Sequence, residues 1–217
     1  MEIINLGENN SLLNQCISEL RDINIQKDSA RFRRNLERCG EIFAYEISKK
    51  LAYQTKEIQT PLGIAPMNVL KEQPVVATIL RAGLPLHQGF LNTFDRAESA
   101  FITAYRKHHK DGSFTIQFDH ISSPSTENKV VILCDPMLAS GASMVQSYKA
   151  MMEQGEASHT HAVAIISSKE GVDYMKKHLN LKNITLWVGA IDPELTAKSY
   201  IAPGLGDAGD LAFGSKL

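Results

Sequence analysis

The stretch Val130 to Ser143 reads VVILCDPMLASGAS, and its parts decide the fold. Four apolar residues, Val130 to Leu133, form the short continuous run expected of a strand buried on both faces of a parallel sheet. Asp135 and Pro136 follow the strand, and Ala139, Ser140, Gly141, Ala142 and Ser143 then make a turn of small residues. Beyond the turn, Met144, Val145, Tyr148, Met151 and Met152 recur at helical spacing. Strand, acid, small-residue turn and helix are the parts of a phosphate site. Residues without bulk let successive backbone N–H groups converge on an anion, the hydroxyls of Ser140 and Ser143 add donors, and the helix N-terminus adds partial positive charge. Asp135, at the carboxyl end of the strand, is placed to accept hydrogen bonds from sugar hydroxyls. The same residues would equally serve an ordinary strand–turn–helix connection capped by Ser143, since short βα turns are common. A Walker loop is excluded by the missing Gly-Lys-Ser/Thr ending, and the spacing does not fit a dinucleotide fingerprint.

Upstream, Val75 to Leu80 gives a second buried strand that ends at Arg81-Ala82-Gly83. A guanidinium at a strand end, followed by a glycine that permits close backbone approach, suits a diphosphate. Taken alone, the same Arg could simply extend from a strand end to solvent. Ala100 to Tyr105 reads as a third strand with Arg106 at its end. Downstream, Ala162 to Ile166 and Ile184 to Val188 read as strands, and Lys169 to Leu179 reads as the helix between them. This alternation predicts an α/β fold, a mostly parallel twisted sheet flanked by helices, with ligands at the carboxyl ends of the strands. Arg81, Arg106 and Asp135 all fall at such ends.

Ser11 to Asp22 and Ser29 to Leu51 carry apolar residues at helical spacing. Arg31, Arg33 and Arg34 read as a solvated helix face with pairs such as Arg33 to Glu37, in preference to an anion patch. Thr55 to Gln59 reads as a short strand, after which Pro61, Gly63 and Pro66 break the chain. Lys107 to Ser113 makes a polar turn around Asp111-Gly112, and Phe114, Ile116 and Phe118 alternate beyond it, which is hairpin patterning. The adjacent His108 and His109 point to opposite faces of a strand and cannot simply share an ion. The loop is equally a cationic lid over phosphate or a plain solvated hairpin. Tyr200 to Gly214 is glycine-rich, but Tyr200, Ile201, Leu205 and Phe213 offer anchors that argue for order over a frayed terminus.

The 217 residues suffice for one domain over positions 1–217, and 43% hydrophobic with 22% charged residues is an ordinary globular composition. A net charge of −1 argues against a non-specific nucleic-acid or membrane-surface binder. Cys16, Cys39 and Cys134 are odd in number and far apart in sequence, so they read as small core residues in a reducing compartment, with no disulfide framework or zinc site. No signal peptide or membrane span is legible, which predicts a cytoplasmic protein.

Asp135-Pro136-Met137-Leu138-Ala139-Ser140-Gly141-Ala142-Ser143 resembles the signature with which uracil phosphoribosyltransferases bind 5-phosphoribosyl diphosphate (PRPP), usually DPMLATGGS. Tyr200-Ile201-Ala202-Pro203-Gly204-Leu205-Gly206-Asp207-Ala208-Gly209-Asp210 resembles that family's uracil-binding segment. Ile79-Leu80-Arg81-Ala82-Gly83-Leu84 matches its pyrophosphate loop, and Tyr105-Arg106 the start of its Tyr-Arg-Asn-Glu segment. The resemblance covers nearly the whole chain. It implies a type I phosphoribosyltransferase fold with a β-hairpin arm and a C-terminal base-binding hood, and the reaction of uracil with PRPP to give UMP and diphosphate. By the same resemblance, Arg81, Ala82, Gly83, Arg106, the 135–143 signature and Asp207 would bind PRPP. Asp135, Arg81 and Asp207 would carry catalysis, and Tyr200, Ile201, Gly206, Asp207 and Ala208 would bind uracil. Mg²⁺ would enter mainly through PRPP, with no direct protein ligand set. A homodimer or higher homo-oligomer built on the hairpin around Asp111-Gly112, and a GTP effector, are further family traits.

The chain departs from the family at Pro85, Lys107, His108, Ser140, Ala142 and Leu211. Ala142 requires a negative φ, and Leu211 replaces a basic residue that would make a surface contact. Two other readings stay open: a phosphoribosyltransferase for another base, and a PRPP- or nucleotide-sensing regulator that binds RNA. The regulator would need a basic face, for which Arg31 to Arg34 and Arg106 to Lys110 are the candidates.

Overall fold

The computed structural model describes residues 1–108 and 114–215, with the side chains of all but 104–119 and 181 among them. In chain order these residues form β1 (Glu2–Asn5), α1 (Leu12–Arg21), α2 (Ser29–Ser48), β2 (Tyr53–Thr60), β3 (Gly63–Leu70), β4 (Val75–Leu80), α3 (Leu84–Thr93), β5 (Glu98–His108) and β6 (Phe114–Ser122). There follow β7 (Val130–Cys134), β8 (Met137–Leu138), α4 (Ala142–Met152), β9 (His159–Ser168), α5 (Lys169–His178), β10 (Ile184–Asp192), β11 (Glu194–Leu195), β12 (Ile201–Ala202) and α6 (Ala208–Phe213).

The main sheet runs β1-β10-β9-β7-β4-β5-β6, with β8 paired to β9. All its pairings are parallel except β5 with β6. Because side chains alternate along a strand, the apolar runs feed two cores. Val76, Ile132, Cys134, Val163, Ile165 and Trp187 pack under α1, α2, α3 and α6. Val75, Ala77, Ile79, Val131, Leu133, Ala162, Ala164, Leu186 and Val188 pack under α4 and α5. Neighbouring strands β4 and β7 send their following helices, α3 and α4, to opposite faces. That divergence opens a crevice at their carboxyl ends, where open α/β sheets bind ligands. The mostly parallel, helix-flanked sheet expected from the sequence is therefore present, and Arg81 and Asp135 follow the two strands at its switch point.

Local chemistry sets the helix starts. Ser11 Oγ accepts from the Leu13 N–H at 3.2 Å and Asn14 Oδ1 from the Ser11 N–H at 3.0 Å, closing the first turn of α1. Asp28 caps α2 by accepting from the N–H groups of Ala30 and Arg31. One expectation for this region is corrected. Glu37 pairs with Arg34, at 2.9 Å, while the Arg33 guanidinium reaches across to the carbonyl of Ala212, at 2.6 Å. The Arg33 and Glu37 positions share a helix face, but a carbonyl at the end of a neighbouring helix satisfies Arg33 better. Cys16 and Cys39 are free, buried core residues as expected; they meet where α1 packs on α2, and burial pushes the Cys39 thiol up.

The expected break at Pro61, Gly63 and Pro66 is instead the turn and second strand of a hairpin, β2 with β3, outside the main sheet. Pro66 sits inside β3, which a two-stranded ribbon allows because each strand keeps an edge where an N–H is not needed. Ile58, Leu62, Ile64 and Met67 of this hairpin are exposed, Leu62 fully so. β1 was not legible in the sequence: its four residues gain strand character only by pairing with β10. The expected hairpin around Asp111-Gly112 is represented by the antiparallel ladder of β5 and β6. Its turn, His109 to Ser113, and the side chains of Arg106, Lys107 and His108 lie outside the described residues. Among the described residues, no helix is long and apolar enough to cross a membrane.

Candidate functional site

β4 delivers Arg81 to the carboxyl edge of the sheet, across a Leu80–Arg81 peptide that is cis. The Gly83 N–H donates to the Ile79 carbonyl at 3.1 Å and folds the loop back on its strand. A side chain has no room there: a Cβ on Gly83 would lie 2.1 Å from Thr78 Oγ1, 2.7 Å from the Ile79 oxygen and 3.3 Å from the Cys134 oxygen. This glycine thus seats the Arg81 loop against the end of β7, beside Asp135. Pro85, a departure from the family pattern, falls in the first turn of α3, where its missing N–H has no intrahelical partner to lose. Arg81 Nη2 donates to the Gly214 carbonyl at 2.9 Å and to Asp210 Oδ1 at 3.3 Å. Its Nε is buried without a hydrogen-bond partner among the described residues.

Asp135 is half-buried at the end of β7, and its Oδ1 accepts from the Met137 N–H at 3.2 Å. The next residues are less free than a loop. The Pro136 carbonyl accepts from the N–H groups of Ile165 and Ile166, at 3.0 Å each, and Met137-Leu138 forms β8 against β9. Leu138 points into the core. The turn proper, residues 139–143, rests on α5. Ser168 Oγ donates to the Ala139 carbonyl at 2.6 Å and accepts from the Gly171 N–H at 2.8 Å. Gly141 has φ +80°, and a Cβ on it would lie 2.7 Å from the Gly171 oxygen and 3.1 Å from the Tyr174 Cβ.

Gly141, and not Ser143, occupies the N-cap of α4, and no side chain caps this helix. Ser143 lies one residue inside the helix, too late to serve as a cap. The first-turn N–H groups of α4 are therefore not taken up by a side-chain cap. Ala142 opens the helix without a positive φ, so the left-handed residue is the glycine beside it.

The C-terminal segment is ordered and lies on the Arg81 loop. Ile201 and Leu205 are buried as expected, whereas Tyr200 and Phe213 are largely exposed and Ala208 and Ala212 supply the other anchors. The small alanines let α6 approach α2 closely. Asp207 caps α6, its Oδ1 accepting from the Asp210 N–H at 3.0 Å. A Cβ on Gly209 would lie 3.2 Å from Asp207 Oδ1 and 3.9 Å from Arg81 Nη2, so the two regions touch here. Leu211, expected to affect a surface contact, packs partly buried against the core.

Arg81, Ala82, Gly83, Asp135, Asp207 and Gly209 are thus gathered at one edge. Sequence reasoning missed the residues that support them: Ser168 and Gly171 under the turn, Arg33 on α6, and Arg21 with Asp192 under Gly204. Ser168 carries the ordinary signal of a helix cap; the arginines contact partners remote in sequence.

Comparison with known proteins follows the same outline. Residues 8–215 match the family model described as uracil phosphoribosyltransferase. The sequence is 52% identical, over 217 residues and 100% of both chains, to a uracil phosphoribosyltransferase of Porphyromonas gingivalis. The structure of the AQ2163 protein from Aquifex aeolicus is similar with a TM-score of 0.86, at 27% identity and with 98% of each chain covered. A hypoxanthine phosphoribosyltransferase of Staphylococcus aureus shares the fold with a TM-score of 0.51, at 14% identity and with 86% of this chain and 83% of that one covered.

Proposed function

We infer that the chain, which belongs to the uracil phosphoribosyltransferase family, transfers the 5-phosphoribosyl group of PRPP to uracil, giving UMP and diphosphate. We propose that the crevice between the Arg81 loop, Asp135, the 139–143 turn and the C-terminal segment is where it does so. As diphosphate leaves the ribose C1, positive charge builds on the sugar, and the base N1 attacks from the opposite face. The protein's work is therefore positioning and charge stabilisation, without a covalent intermediate.

The observation that carries the reading is the Nε of Arg81 at the switch-point edge, buried and without a partner among the described residues. A guanidinium donor in that place is suited to a diphosphate oxygen, and Arg keeps its charge throughout turnover. Arg106 serves as the second cation, a role that rests on the family motif. The 5′-phosphate takes the turn from Ala139 to Ser143, where Gly141 gives the close backbone approach and the uncapped start of α4 supplies N–H donors. Asp135 accepts from the ribose hydroxyls. Asp135 and Asp207 are hard oxygen donors at this edge, and Mg²⁺ bound chiefly by PRPP oxygens, with Asp207 reaching it through water, would neutralise diphosphate charge.

Main-chain groups around Ile201 and from Gly206 to Ala208, beside the exposed Tyr200, read the base. They accept from the uracil N3–H and donate to O4; cytosine inverts that pattern and leaves buried groups unpaired. We read the assembly as a homo-oligomer, for which the exposed apolar side chains of the β2–β3 hairpin supply a surface, and the compartment as the reducing cytoplasm, in keeping with three buried free cysteines. The test is release of diphosphate from PRPP and Mg²⁺ with uracil, with cytosine and without base. Release with uracil alone is expected. Equal release with cytosine would overturn the base-reading role of the C-terminal segment, and PRPP binding without release for any base would point to the regulator.

A further inference from the structure

Arg21 is the last residue of α1 and Asp192 the last of β10, and their side chains form two parallel hydrogen bonds, Nη1 to Oδ2 at 2.8 Å and Nη2 to Oδ1 at 2.7 Å. The same pair takes both main-chain polar groups of one residue in the C-terminal segment. Arg21 Nη1 donates to the Gly204 carbonyl at 3.0 Å, and the Gly204 N–H donates to Asp192 Oδ2 at 2.9 Å. The Asp192 side chain is only 7% exposed, and the ring of four groups is shielded from competing water. Burial opposes ionisation of Asp192, but the bonds from Arg21 and Gly204 prevail and hold its carboxyl below the ordinary value.

Gly204 is a bend that demands such holding. Its φ is +59°, and a Cβ there would lie 2.1 Å from the Ile201 oxygen. It stands between Ile201 and the run from Gly206 to Ala208. A second contact reaches that run from the same side: the buried Gln26 donates from Nε2 to the Arg21 carbonyl at 3.0 Å, and its Oε1 would lie 3.9 Å from a Cβ on Gly206.

We propose that Arg21 and Asp192 are positioning residues for the base: their ion pair clamps Gly204 and so sets where the 206–208 main chain meets uracil. This rests on the reading that the segment recognises uracil. A bidentate Arg–carboxylate pair fixes angle as well as distance, which a single hydrogen bond would not do. Among the described residues, the Arg21 and Asp192 side chains hydrogen-bond each other and Gly204 and not the Arg81 loop, so the clamp is expected to act on one substrate. If its loss leaves the segment in the binding geometry for about a tenth of the time, the apparent affinity for uracil falls about tenfold without any contact to uracil being removed.

The experiment compares Arg21→Ala, Arg21→Lys, Asp192→Asn and Gly206→Ala by KM for each substrate and by kcat, with PRPP binding as a check of folding. Arg21→Ala is expected to raise the uracil KM about tenfold while the PRPP KM stays within about twofold. Arg21→Lys, which keeps the charge but cannot form the bidentate pair with Asp192, should fall between. Equal changes in both KM values, or none with Arg21→Ala while Gly206→Ala raises the uracil KM, would overturn the clamp and leave the base-reading assignment intact. No change in uracil KM with any variant, Gly206→Ala included, would overturn that assignment and the clamp with it. Should Arg21→Ala fail to fold, Asp192→Asn and Arg21→Lys decide by the same split.

Discussion

Two regions of the central sheet, the His159–His161–Trp187 cluster at its amino end and the Arg81 edge at its carboxyl end, put their polar groups to opposite uses. At the amino end, the side chains of β9 and β10 close on one another. The Trp187 indole N–H donates to His161 Nδ1 at 3.0 Å, His159 Nε2 lies 3.0 Å from Thr185 Oγ1, and the two imidazoles stand 4.7 Å apart. Burial, then the proximity of His159 and Lys50, holds His161 neutral with a pKa of about 3. At the carboxyl end, Arg81 Nε is buried without a partner among the described residues, and α4 begins with no side-chain cap. Strand β9 spans both regimes, with His159 and His161 at one end and Ser168 propping the 139–143 turn at the other. Groups that satisfy each other contribute to the fold; donors kept in reserve at the other end are available to a substrate.

The sharpest way to break this contrast is Asp135→Asn. An amide keeps the Oδ1 acceptor for the Met137 N–H, so stability should hold, while the charged acceptor for sugar hydroxyls is lost. Roughly a 10- to 100-fold fall in kcat/KM is expected, the range of a lost hydrogen bond to a charged group. Unchanged kcat/KM with full stability would remove Asp135 from the site. Gly141→Ala should be milder in turnover and should also cost stability. It forces an L side chain to φ +80° and a Cβ to 2.7 Å from the Gly171 oxygen, so a loss of about 1–3 kcal/mol in urea unfolding and weaker PRPP binding should appear together. Loss of stability with normal PRPP affinity would make the turn a structural connection only.

What could be read beforehand follows the same division. The turn at 139–143 and the loop at 81–83 are made by consecutive residues, and their small side chains announce close approach before any partner is known. The central strands β4, β7, β9 and β10 were equally legible, because burial on both faces writes a continuous apolar run, whereas β1 and the two-residue β8 carry no such run. The hairpin at 53–70 was not, since it buries little and its alternation is broken by Pro61, Gly63 and Pro66. The clamp at Gly204 was invisible for another reason. Arg21 ends an ordinary amphipathic helix and Asp192 an ordinary strand, and only the folding of the chain brings both to one glycine. Arg33, assigned to Glu37 by helical spacing, instead serves the adjacent α6, remote in sequence.

The smallest effect on activity belongs to the amino end, and it can be separated by pH. His161 carries an ordinary value of 6.5 when unfolded and about 3 when folded. Between those values the unfolded chain holds a proton that the folded chain lacks, so stability falls as pH drops through that window. The slope from one such group reaches at most about 1.4 kcal/mol per pH unit. Carboxylates held low, such as Asp192 and Glu19 with its value of about 2, lose their contribution only at more acid pH, which leaves the range from about pH 7 to about pH 5 to the buried histidines. His161→Gln keeps an acceptor for the Trp187 N–H and removes the titrating group. Urea midpoints of the variant should therefore fall less steeply with acid than those of the parent chain, with a residual slope from His159 and His87, whose values burial also lowers. Uracil turnover near neutral pH should be unaffected. Parallel slopes for the two proteins would mean that His161 takes up a proton in the folded state, and the His161–Trp187 cluster would then not be the closed, self-satisfied counterpart of the site.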